Sequence, residues 1–110
     1  MADCFHRIVQ QNEMGYVSVC EMCERIQVGF GTALANFTRR EFSDFRERIV
    51  REWMALKSEP NPREKNIFIE TSSRAWHLAL TGSELSKLTD LLEKADTVLS
   101  LTSQRATYYN

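Results

Sequence analysis

Two residues separate Cys20 from Cys23, and one separates Cys4 from His6. Thiolates at the C-x-x-C spacing can face one cation while backbone N–H groups of the turn steady the sulfurs. Cys4 and His6 share a face if the N-terminal segment is a strand, because strand side chains alternate with period two. If Gln11 to Gly15 closes a hairpin, His6 falls opposite Cys20 and Cys4 falls near Met22 and Cys23. Cys4, His6, Cys20 and Cys23 would then converge as the Cys₃His set of a structural zinc, with the pattern C-x-H-x13-C-x-x-C. Two other readings stand beside this one. Unligated cysteines pack as small hydrophobes. A C-x-x-C pair can also carry thiol-based redox or metal-dependent activity, in thioredoxin-type sites at a helix N-terminus that depresses the thiol pKa. Here the pair lies between two extended segments, beside the acidic Glu21 and Glu24.

Other chemistry is sparse. Three cysteines, an odd count in a chain without an export signal, argue against a disulfide framework. Gly29-Phe30-Gly31-Thr32 has the glycines of a phosphate loop but neither its lysine nor its helix, and reads as a strand with bends where another backbone packs closely. His77 lies in a strand segment beside Trp76. There is no Gly-x-Ser-x-Gly elbow. From Arg39 to Lys57, six basic residues face four acidic ones, a mixed face that is usually solvated. A nucleic-acid-binding adaptor therefore ranks third among the functions, and would need Arg40, Arg48 and Arg51 to line an unbroken basic face.

The elements that must position these residues are announced by two helix starts. Phe37-Thr38-Arg39-Arg40-Glu41-Phe42 and Leu80-Thr81-Gly82-Ser83-Glu84-Leu85 both read apolar-Thr-x-x-Glu-apolar. That is a capping box, threonine and glutamate each satisfying an orphan N–H, inside a hydrophobic staple. The two glutamates are thereby explained as caps. After Thr38 the apolar positions Phe42, Phe45, Ile49, Val50 and Trp53 fit a 3.6-residue period and predict a helix ending near Lys57, before Pro60 and Pro62. After Thr81, Leu85, Leu88, Leu91, Leu92, Ala95, Val98 and Leu99 predict a second helix to about Leu101. Phe5 to Gln10, Val17 to Val19, Ile26 to Phe30, Ile67 to Thr71 and Ala75 to Leu80 read as strands.

The order is βββαββα, a two-layer α+β fold with an antiparallel sheet of about five strands and both helices on one face. Each half reads strand, turn, strand, capped helix, a degenerate internal duplication of architecture. The expected organisation is a single domain over 1–110: a first half at 4–57, a linker at 58–66, a second half at 67–101 and a polar tail at 102–110.

The 110 residues carry 14 Lys+Arg against 15 Asp+Glu and are 43% hydrophobic, which excludes disordered and fibrous classes. A formal charge of −1 supplies no electrostatic case for nucleic acid or an acidic membrane. No apolar run approaches a spanning helix, and the N-terminus lacks a signal segment, so the expected location is the cytoplasm.

Asn12-Glu13-Met14-Gly15-Tyr16, Cys20-x-x-Cys23 and Ile26-Gln27-Val28-Gly29-Phe30-Gly31, with the capped helix from Phe37 to Trp53, resemble an uncharacterised family of short bacterial cytosolic proteins. That family is a domain of unknown function with a C-x-x-C turn followed by an I-Q-V-x-F-G strand. The resemblance covers roughly the first half of the chain. It implies a small cytosolic protein without established activity, substrate or cofactor, and points again at Cys20 and Cys23. The leading expectation is a non-enzymatic protein-interaction domain, stabilised by zinc and pairing with a protein partner or with itself as a homodimer. Its interface is expected on the sheet face away from the helices, with Tyr16 and Trp76 as candidates.

Overall fold

Successive extended segments pair with their neighbours in the chain. The computed structural model describes residues 5–56, 65, 67–71, 75 and 77–109, with side chains of the last helix through Leu101. Strands β1 (His6–Asn12), β2 (Gly15–Cys20), β3 (Ile26–Phe30) and β4 (Ala33–Phe37) form an antiparallel sheet in the order β1-β2-β3-β4. Helix α1 (Arg39–Ala55) follows. Strands β5 (Ile67–Glu70) and β6 (His77–Leu80) then pair with each other in a separate two-stranded sheet before helix α2 (Gly82–Tyr109).

The α+β class and the antiparallel pairing are those expected, but the strand count and order differ. Among the described residues, six strands in two sheets replace one sheet of about five, and the order is ββββαββα. The unanticipated strand is β4. Its two alanines and asparagine have low strand propensity, and Gly31-Thr32 reads from sequence as a bend. In the structure Gly31 sits at φ 60° while Thr32 keeps a negative φ, the pattern of a two-residue type II′ hairpin turn. The ladder then runs from Phe30↔Ala33 to Ile26↔Phe37.

The first hairpin closes as its sequence suggests. Asn12 Oδ1 accepts the N–H groups of Met14 at 3.0 Å and Gly15 at 3.1 Å. A one-residue register shift between Ile8 and Gln10 places Val9 as the extra residue of a bulge, where it packs against the core.

Both capping boxes form. At α1, Thr38 Oγ1 accepts from the Glu41 N–H at 3.1 Å and Glu41 Oε1 accepts from the Thr38 N–H at 2.8 Å. At α2 the equivalent distances for Thr81 and Glu84 are 3.0 and 2.9 Å. In each case a hairpin's second strand runs straight into the cap, β4 into Thr38 and β6 into Thr81. The hairpin before α1 is thus β3–β4, whereas the sequence reading paired the segments on either side of the C-x-x-C turn.

The caps orient two apolar stripes onto one sheet face. Val17, Val19, Ile26, Val28 and Phe30 meet Phe42 and Ile49 of α1 and Leu85, Leu88, Leu91, Leu92, Ala95 and Leu99 of α2, joined by Ile69 and Leu80. Helix α2 lies over β1 and β2, with α1 beside it and against β4. Full burial of each large aliphatic side chain contributes about 1.5–3 kcal/mol. Helix α1 ends at Ala55, and α2 continues through Tyr109, past the Leu101 that periodicity predicts. Pro60, Pro62 and Trp76 lie outside the described residues.

Candidate functional site

The C-x-x-C turn joins β2 to β3. The Cys20 N–H donates to the Arg25 carbonyl at 2.8 Å and the Glu24 N–H to the Cys20 carbonyl at 2.8 Å, closing the loop; Glu24 takes the left-handed φ of 63° this requires. Cys20 is fully buried and Cys23 exposed. The Cys23 N–H points at Cys20 Sγ, 3.5 Å away. His6 falls directly opposite Cys20 in the ladder because the bulge at Val9 shifts the register by one residue, and its Nδ1 lies 3.4 Å from the Ser18 hydroxyl. Cys4 lies outside the described residues. Among the described residues no group of three or more His, Cys, Asp or Glu side chains gathers as a metal site.

The sheet face away from the helices is tied together by polar side chains. Ser18 pairs across the ladder with Gln27, and Gln27 with Asn36. The Tyr16 hydroxyl donates to Gln27 Oε1 at 2.9 Å, and Gln27 Nε2 donates to Asn36 Oδ1 at 3.2 Å. Tyr16 lies over Gly29, where a β-carbon would collide with its ring. Its edge is thus already engaged within the sheet.

A second feature escaped the sequence reading. A groove of about 530 Å³ runs between β4, the first turns of α1 and the β5–β6 hairpin. All five residues of β4 line it. One face of a strand would contribute alternate residues, so the groove follows the strand's edge. Its floor is apolar, with Val28, Phe30, Leu78, Leu88 and the stacked pair Phe37–Phe45, whose ring centroids are 5.1 Å apart. Its ionisable lining is Glu41, Asp44 and Glu70 against Arg48. The backbone N–H of Thr38, then its hydroxyl, hold the Glu41 carboxyl below its ordinary range, so it stays anionic. Ala33 to Phe37 lie between a Gly-Thr turn and a helix cap, but their alanines and asparagine carry no strand signal of their own.

Arg40, Arg48 and Arg51 fall within one sector of α1, but Glu41, Asp44 and Glu47 are interleaved with them at helical spacing, so no unbroken basic stripe results. Arg46 instead meets Glu93 at 2.6 Å and Asp96 at 3.6 Å on α2. No helix among the described residues is long and apolar enough to cross a membrane.

Helices on one face of an antiparallel meander, a hairpin alongside and a groove between them define a small two-layer α+β protein. The chain belongs to the family of unknown function DUF6686, whose model matches residues 1–109. A family of unknown function is thus what the chain belongs to, over nearly its whole length. No curated protein and no solved structure matches it.

Proposed function

We propose that the protein is a non-enzymatic interaction module and that the groove along β4 is where a protein partner binds. The observation that carries this reading is an apolar trough bordered along its length by a sheet edge, with Leu34 at its rim 57% exposed. A photo-crosslinking amino acid at position 34, introduced into the full chain in its native cells, should capture a defined protein. The same group at Ile8, at the far side of the sheet, should not. Equal capture from both positions, or none from position 34, refutes the reading.

A structural zinc on the first hairpin is a second reading, with Cys4, His6, Cys20 and Cys23 as ligands. It is supported by the N–H aimed at Cys20 Sγ, the kind of turn donor that steadies a ligating sulfur, and by the opposition of His6 and Cys20. When bound, zinc would clamp β1 to the β2–β3 turn. Protein purified without chelator should then carry one zinc per chain, lost in Cys20→Ser and released as falling pH reprotonates the thiols. Substoichiometric metal, with thiols at Cys20 and Cys23 that titrate without releasing metal, sinks the idea and leaves the C-x-x-C turn as an ordinary strand connection whose thiols pack.

A further inference from the structure

The two edges of the four-stranded sheet are treated differently by the sequence. Edge strands template pairing with other chains, and proteins blunt them with bulges, charges or proline. At one edge, β1 carries the bulge at Val9 together with His6, Arg7, Gln10 and Gln11. At the other, β4 reads Ala-Leu-Ala-Asn-Phe, with no bulge, charge or proline, and among the described strands it pairs only with β3. The two-residue turn makes Phe30 and Ala33 a hydrogen-bonded pair. Ala33, Ala35 and Phe37 therefore direct their backbone groups to β3, and Leu34 and Asn36 turn theirs toward the groove.

Resting on the groove reading above, we infer that the occupant is an extended segment of a partner protein, about five residues long. It adds to β4 as a fifth strand, with apolar side chains alternating with lysine or arginine. The length follows from β4 itself. The backbone groups of Leu34 and Asn36 supply up to four ladder bonds, the mode of recognition in which main chain gives affinity and alternate side chains give selectivity. Side chains turned inward meet Phe45, Leu78 and Leu88. Among the described residues, those at the rim meet three carboxylates against one guanidinium, which favours a basic segment and disfavours an acidic one. The same charges argue against a second copy of this chain pairing β4 to β4, since each copy would bring its own Glu41, Asp44 and Glu70 to the seam.

The test uses the full chain, ¹⁵N-labelled, titrated with a capped heptapeptide alternating valine and lysine and with valine–serine and valine–glutamate versions of equal length. The lysine peptide should shift the amides of Leu34 to Phe37 and of Glu70 and Thr71 saturably, and bind about tenfold more tightly than the glutamate peptide. Added salt should narrow that gap. Asn36→Pro, which removes an N–H outside the β3 ladder, should abolish binding with the melting temperature retained. Should that variant not fold, a lysine peptide N-methylated at alternate residues tests the same ladder and should lose binding, while Glu70→Lys tests the charge and should weaken the lysine peptide about two- to fivefold. If the serine or glutamate peptide binds equally well at the groove, the basic-segment inference falls and the groove reading stands. If no peptide moves these amides, both fall. If concentrating the protein alone shifts the β4 amides as its mass doubles, the occupant is a second copy and the inference is overturned.

Discussion

Replacing Thr81 by alanine removes one half of the box that starts α2, the element that contributes the largest share of the core. The Glu84 N–H loses its 3.0 Å acceptor, and the reciprocal bond from the Thr81 N–H to Glu84 Oε1 loses the constraint that holds it. Cap removal costs about 0.5–2 kcal/mol, and position within that range depends on whether water can replace the lost oxygen. Thr81 is only 7% exposed, so water replaces it poorly and the cost should be about 1.5–2 kcal/mol. Thr38 has the same bonds at the surface, so Thr38→Ala should cost about 0.5–1 kcal/mol. Equilibrium urea melts resolve the two: with a slope of about 1.5–2 kcal/mol per molar, the Thr81→Ala midpoint should fall by about 1 M and that of Thr38→Ala by about 0.3–0.6 M. Both slopes should match the parent's. Equal losses, or a larger loss for Thr38→Ala, would refute the argument that burial grades these caps.

Acid should erode stability through the same box. Burial pushes the Glu84 carboxyl up, but the Lys65 ammonium 2.6 Å away and the Thr81 N–H outweigh it and hold the carboxyl below its ordinary 4.5. A lowered folded-state pKa contributes stability that is complete above the unfolded value and lost as pH falls through the folded one. Melting temperature should therefore drop more steeply between about pH 5 and about pH 3 in the parent than in Glu84→Gln; parallel curves would contradict this. Gly15→Ala should destabilise more than Gly29→Ala, because the added β-carbon meets the Gly29 carbonyl in one case and the movable Tyr16 ring in the other. For Gly29→Ala about 1–2 kcal/mol is expected, with the Tyr16–Gln27 bond broken, and calorimetry showing the reverse order would contradict the packing account.

What could be read along the chain was everything set by neighbours within a few residues. Apolar-Thr-x-x-Glu-apolar specifies both helix starts because each donor and acceptor of the box lies within one turn. The period of the leucines in α2 specifies which face is buried, and Asn12 with Gly15 specifies the first turn; that turn alone would set Glu21 opposite His6, and the bulge at Val9, which the sequence does not announce, moves Cys20 there. β4 was not legible, because alanine and asparagine become a strand only when β3 presents its ladder and Gly31 reverses the chain. Nor was the division into two sheets. The alternation of Ile67, Ile69, Leu78 and Leu80 requires a buried face but does not say whether that face continues an existing sheet or lies beside it. The groove exists only because of that choice. Its walls come from segments more than thirty residues apart, Ala33 to Phe37 on one side and Glu70, Thr71 and Leu78 on the other. A cavity between distant segments is set by how α1 and α2 pack on the sheet, through side-chain volumes that no local pattern encodes.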